Sequence, residues 1–157
     1  MTPLKFLTES NLARWPTILV GFKKNWVTRE NIFDYAMSQL SSDGEDEHTA
    51  VIAGGRHLSN DELIEEISKK ITKYKEAIEL DKWRLAFLIK IKESSDCEET
   101  KINNIQCVYA DFNYPEDMSS CSIYAHNNID PLLELNQVIE NLKSRIQQSD
   151  CHQHSSP

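Results

Sequence analysis

The sequence predicts an all-α protein, a compact multi-helix domain of five to seven helices with room for no more than minor strand content. Three observations carry that expectation. Apolar residues recur every three or four positions through most of the chain. Thr28, Ser59 and Asp130 stand as cap residues directly before such runs. Pro16 and Pro131 fall at first helical positions, where the missing N–H costs nothing.

Taken in order, Ser10 can cap a first short turn, and "PTILVGFKKNW" gives a helix from about Pro16 to Lys24, ending before Trp26. In "VTRENIFDYAMSQL", Thr28 is the N-cap, Val27 can staple onto Ile32, and Ile32, Phe33, Ala36, Met37 and Leu40 repeat at helical spacing. Trp15, Phe22 and Trp26 are large core candidates of the resulting helical hairpin. Residues 41–56, "SSDGEDEHTAVIAGGR", lack a helical period, cluster Asp43, Glu45, Asp46 and Glu47, and end in Gly54 and Gly55; they read as a long acidic surface loop.

A further helix starts with Ser59 as N-cap and Glu62 at the capping-box position, and carries Leu63, Ile67, Ile71, Tyr74 and Ile78 on one stripe. Lys69 and Lys70 lie three or four residues from Glu65 and Glu66 and, with Lys73, give the pattern of a solvated, ion-paired outer face. "DKWRLAFLIKIKES" fits both periods: Trp83, Leu85, Phe87, Ile89 and Ile91 alternate like a strand, whereas Leu80, Trp83, Phe87, Leu88 and Ile91 fit a buried helix that Asp81 could cap. Helix is favoured over 82–92 because no neighbouring segment offers a hairpin partner. After the hydrophilic "SSDCEET", helical spacing resumes at Ile102, Ile105, Val108, Tyr109 and Phe112. The last helix has Asp130 as N-cap, Pro131 at its first position, and Leu132, Leu135, Val138, Ile139, Leu142 and Ile146 on one side. Trp83, Phe87, Tyr109 and Leu135 are expected in the core.

Length and charge narrow the function classes. A chain of 157 residues is near the size of one domain and buries roughly two thirds of its unfolded surface. Residues 1–148 are therefore expected as a single helical domain, with 149–157 a disordered tail in which Cys151, His152 and His154 crowd together. The formal net charge of -8 has the wrong sign for binding nucleic acid or an anionic membrane, so any strongly charged partner should be basic. No run of 18 apolar residues occurs, and Met1 to Leu7 lacks a secretory apolar core, which places the expected site of action in the cytoplasm. Cys97, Cys107, Cys121 and Cys151 form no C-x-x-C pair and are expected as reduced thiols. No metal or cofactor is expected.

The stretch "VYADFNYPEDM" is the one place where carboxylates and aromatics gather around a proline. Pro115 disfavours α conformation at Tyr114, Asn113 tolerates the left-handed region, and Glu116 and Asp117 suit the first turn of a new short helix. This is a corner with a structural purpose. The competing reading makes Asp111, Glu116 and Asp117, with His126, a hydrolytic or metal site, although no H-E-x-x-H or comparable spacing orients a catalytic group there.

That corner, together with "GFKKNWVTRENIFDYAMSQL" and "KWRLAFLIKIKES", resembles a family of small bacterial proteins of uncharacterised function that are found beside secreted polymorphic toxins and are presumed to be immunity proteins. The similarity spans about Trp15 to Tyr124, with Trp26, Tyr35, Ala36, Trp83, Tyr109, Asp111, Tyr114 and Pro115 as family-pattern positions, all consistent with structural roles. It implies a non-enzymatic protein of contact-dependent growth inhibition type that covers a cognate toxin C-terminal domain, a basic nuclease being the class that its acidity suits. Asp43, Glu45, Asp46 and Glu47 are the first candidate contact residues, and Glu62, Glu65 and Glu66 the second.

Overall fold

Three of the described helices end on asparagine. Asn11, Asn25 and Asn113 have φ of 59°, 65° and 63°, each one residue beyond a helix cap, where a left-handed residue closes the last turn. In each case the following N–H reaches back to a carbonyl of that turn: Leu12 to Leu7 at 2.9 Å, Trp26 to Gly21 at 2.7 Å and Tyr114 to Tyr109 at 2.8 Å. The computed structural model describes residues 2–43, 47–121 and 130–154, with the side chains of 42, 43, 120 and 150–154 set aside. Among the described residues the helices are α1 (Pro3–Glu9), α2 (Trp15–Lys23), α3 (Arg29–Asp43), α4 (Glu47–Ala53), α5 (Asn60–Lys69), α6 (Glu76–Glu93), α7 (Glu98–Asp111) and α8 (Pro131–His154), with 3-10 turns at Gly55–His57 and Glu116–Cys121 and no strand. The all-α expectation holds, and 82–92 is helix.

The chain divides into two compact units, Ala13–Glu79 and Met1–Leu12 with Leu80–Pro157. In the first, α4 packs against α3, α5 and the Gly55–His57 turn, and α5 also packs against α2. Thr28 and Asn31 exchange side-chain to backbone hydrogen bonds of 3.0 and 3.1 Å at the start of α3. Ser59 and Glu62 do the same at α5, both at 3.2 Å. Ile18, Ile32, Ala36, Ile52, Leu63 and Ile67 are fully buried. Buried Thr17 accepts from the Arg14 N–H and donates to Glu79, tying the start of α2 to the first turn of α6. Gly55 is closely approached: a β-carbon there would stand 2.9 Å from a Leu58 methyl and 3.4 Å from one of Leu63, so a larger residue needs the Leu58 side chain to shift.

The second unit is built on one hydrophobic cluster from α6, α7, the Glu116–Cys121 turn and α8, including Leu85, Leu88, Ile105, Met118, Leu135 and Leu142. Phe6, Leu12, Phe87, Tyr109 and Phe112 pack partly buried against it, and Trp83 is fully buried. Phe87 meets Phe112 edge-on at 6.1 Å between ring centres. Asp130 Oδ1 accepts from the Leu132 N–H at 3.0 Å, capping α8 as its sequence indicates.

Several boundaries differ from expectation. Thr2, with Pro3 in the first turn, caps α1, and Ser10 ends that helix instead of starting a turn. Residues 41–56 are not a loop where described: α3 runs through Asp43, and Glu47–Ala53 is helical because Thr49 and Ile52 bury one side of it. The stripe from Leu63 to Ile78 is interrupted after Lys69, and the chain resumes helix at Glu76. Asp81 consequently lies inside α6 and caps nothing. Met37, expected on the buried side of α3, is 56% exposed. At the far end α8 continues to His154, past the expected boundary at 148/149.

Candidate partner-binding surface and the charged corner

At the corner, α7 ends at Asp111, and both Asn113 and Tyr114 have positive φ, 63° and 53°. Tyr114 folds back so that its ring lies 5.1 Å from that of Tyr109. This directs the 3-10 turn beginning at Glu116 toward α6 and α8 and delivers Asp117 to two arginines. Arg84, whose side chain is 4% exposed, donates both outer nitrogens to Asp117, and Nη2 also reaches Asp81 Oδ1 at 3.1 Å. Arg145 bridges the same pair of carboxylates, at 3.3 Å to Asp81 and 3.2 Å to Asp117. Burial raises the Asp117 carboxyl, but the hydrogen bonds and charges of Arg84 and Arg145 outweigh it and hold the group below its ordinary value.

An open cleft of about 540 Å³ beside this quartet is lined by the four ion-paired residues with Pro115 and Glu116. The chemistry of the quartet is that of a clamp. Asp117 is held ionised and doubly bonded, so it is a weak proton acceptor for catalysis. Asp111 and Glu116 are exposed on either side of the corner, and His126 lies outside the described residues. Among the described residues no three His, Cys, Asp or Glu side chains group so as to hold a metal ion. Cys97 and Cys107 are exposed, and Cys121 is buried.

The charge of the chain has a different centre. From Arg29 to Glu66, ten carboxylates face two arginines, a formal balance of -8 that equals the net charge of the whole protein, so the remainder is neutral. This acidic segment comprises α3, α4 and most of α5, all in the first unit and packed through α4. Its two arginines are engaged at the base of α3. Arg29 donates to Asn60 Oδ1 at 2.7 Å, to the Leu58 carbonyl at 2.6 Å and to the Arg56 carbonyl at 3.2 Å. Arg56 forms a two-pronged pair with Glu30, at 2.6 and 3.1 Å. Both guanidinium groups lie over the Phe33 ring, 5.7 and 4.9 Å from its centre. The hydrogen bond and charge of Arg56 pull Glu30 below the usual carboxylate range.

The sequence-derived contact residues fall within this segment. Asp43 closes α3 and Glu47 opens α4, where Glu47 is exposed, while Glu45 and Asp46 lie outside the described residues. On α5, Glu62 is committed to the cap, with the Ser59 N–H and hydroxyl lowering its pKa, Glu65 is exposed, and Glu66 pairs with Lys69 at 2.9 Å. Sequence reading missed Asp34 and Asp61, both exposed, and the exposed apolar residues Met37 and Val51. A running charge sum would have found the acids.

The family described as "Uncharacterized protein conserved in bacteria (DUF2247)" matches residues 4–150. No curated protein and no solved structure matches the chain. Among the described residues no helix is long and apolar enough to cross a membrane.

Proposed function

We propose that this chain, which belongs to the bacterial family matched over residues 4–150, is an immunity protein: it binds and neutralises a cognate secreted antibacterial toxin domain by non-catalytic contact. The observation that carries the reading is the confinement of the whole net charge of -8 to Arg29–Glu66. Net acidity spread over a surface serves solubility. Acidity gathered on three packed helices creates a directional field that steers a basic partner and sets its orientation.

The partner is accordingly a basic domain, a nuclease being the class whose own phosphate-binding surface supplies matching positive charge. The complex needs no cofactor or metal from this chain, and it forms in the cytoplasm, where an entering nuclease meets its target. The alternative, a small hydrolase using the Asp111 to His126 region, has in its favour the cleft beside Asp117, whose carboxylate is nonetheless held by two arginines that lower its pKa and make it a weak base.

The test is to look beside this gene for one that encodes a large secreted protein and to co-express the C-terminal domain of that protein with this chain. Restored growth and co-elution of the two domains at low salt support the reading. A toxin domain that remains lethal and elutes alone in the presence of excess protein contradicts it.

A further inference from the structure

A groove of about 290 Å³ opens on the second unit, lined by residues of α6, of the segment that follows it and of α7. Its apolar lining is anchored in the interior. Ile91 and Val108 belong to the hydrophobic cluster of that unit, and Phe87 packs against the cluster. Three exposed charged side chains line the same groove: Lys90 from the last turn of α6, Asp96 from the connecting segment and Asp111 from the end of α7.

These charges differ from those of the cleft beside Asp117. There Arg84 and Arg145 close on Asp81 and Asp117, so the groups satisfy one another. In the groove neither aspartate meets Lys90, and among the described residues the three side chains make no hydrogen bond or ion pair. Opposite charges that share a groove without meeting are complementary to a ligand that carries both signs. The unengaged side-chain amide of Asn104 adds donors and an acceptor to the lining. One lysine against two aspartates leaves a formal charge of -1, which disfavours phosphates and nucleotides. The volume sits at the lower end of the range for small-molecule pockets, about 300–1,000 Å³, and is too small for a large cofactor.

We infer that this groove binds a small zwitterion, an α-amino acid with a large apolar side chain. Its carboxylate is drawn to Lys90, its ammonium to Asp96 and Asp111, and its side chain covers Phe87, Ile91 and Val108. Apolar burial supplies the affinity, and charge-assisted hydrogen bonds at the polar end fix the orientation. The inference stands apart from the immunity reading, because the acidic segment belongs to the first unit and the groove to the second.

Isothermal titration calorimetry of the full chain with L-leucine, L-methionine and L-phenylalanine measures the binding, and the exposed Cys107 thiol, which lines the groove, reports where it occurs. With saturating ligand, alkylation of Cys107 by iodoacetamide, read on its own peptide by mass spectrometry, should slow at least about fivefold. Cys97, exposed and not part of the lining, should react at its former rate. N-acetyl-L-leucine and L-leucinamide each lack one charge and should bind at least about tenfold more weakly than L-leucine. Lys90→Gln and Asp96→Asn/Asp111→Asn should weaken L-leucine binding to a similar extent with unchanged melting curves, since all three side chains are exposed. Absence of saturable heat with all three amino acids overturns the inference. So does binding that leaves Cys107 unprotected, because the ligand then sits elsewhere. Equal binding of L-leucine and its two analogues, or of native chain and variants, would overturn it as well by showing that the charges take no part.

Discussion

Arg84 and Asp117 form a two-pronged ion pair, with Nη2 to Oδ2 at 2.9 Å, between a nearly buried guanidinium on α6 and the first residues past a corner of left-handed backbone. Replacing one partner of such a pair strands the other charge. Arg84→Met should therefore destabilise the protein by about 3 kcal/mol in urea unfolding, and Asp117→Asn by less because Arg84 keeps Asp81. A loss under about 0.5 kcal/mol for Arg84→Met would place the pair among ordinary surface contacts.

The same pair sets a dependence on acid. Asp117 is lowered in the folded state, so its contribution is fully present above the ordinary carboxylate value and is lost as pH falls through the folded one. Stability of the native protein should drop below about pH 4, and Asp117→Asn should flatten that part of the curve. Identical pH profiles for the two would show that Asp117 titrates as an ordinary surface group.

Asp111→Asn and Glu116→Gln remove exposed carboxylates at the corner that the clamp does not use. Under the proposed immunity function, both variants should protect as well as the native chain does. A loss of protection by either with an unchanged melting curve would restore the corner as a functional site.

Arg29 makes three hydrogen bonds that join the start of α3 to the start of α5. Lysine cannot reproduce a planar fork with several fixed donors. Arg29→Lys should cost about 1–2 kcal/mol in thermal unfolding, and Arg29→Ala more. Equal stability of native and lysine forms would mean that a single positive charge suffices.

Asn113, at φ 63°, stands where a β-branched residue is strained. Asn113→Val should lower stability by about 1–2 kcal/mol, while Asn113→Gly should be neutral or better. The ratio of the two melting shifts separates backbone strain from loss of the side chain.

Much of the fold was legible because the signals were local. Thr28, Ser59 and Asp130 cap their helices as the sequence implies, and Asn113 turns the corner it marks. Asn11 and Asn25 carried the same message and went unread. The α4 helix was hidden because seven residues have little helical tendency in isolation, and Gly54, Gly55 and the acidic cluster dominate its composition; packing against α3 and α5 makes it. The clamp could not be read, since Asp81 and Arg84 are 33 or more residues from Asp117 and nothing local announces which carboxylate a guanidinium will meet. Met37 fits the buried period of α3 by spacing, yet one step around the helix from Ala36 is enough to place it outside.

The central claim is that the acidity gathered between Arg29 and Glu66 brings a basic toxin domain to this protein. Its most direct test is the association rate of an inactivated toxin domain that co-elutes with this chain, followed across a salt series for the native chain and for a form with Asp43, Glu45, Asp46 and Glu47 replaced by their amides. The account predicts that native association is fast at low salt and falls steeply as salt rises, and that the amide form is slower, nearly flat in salt and equal in melting temperature. Association that is the same for both forms at every salt concentration would contradict it.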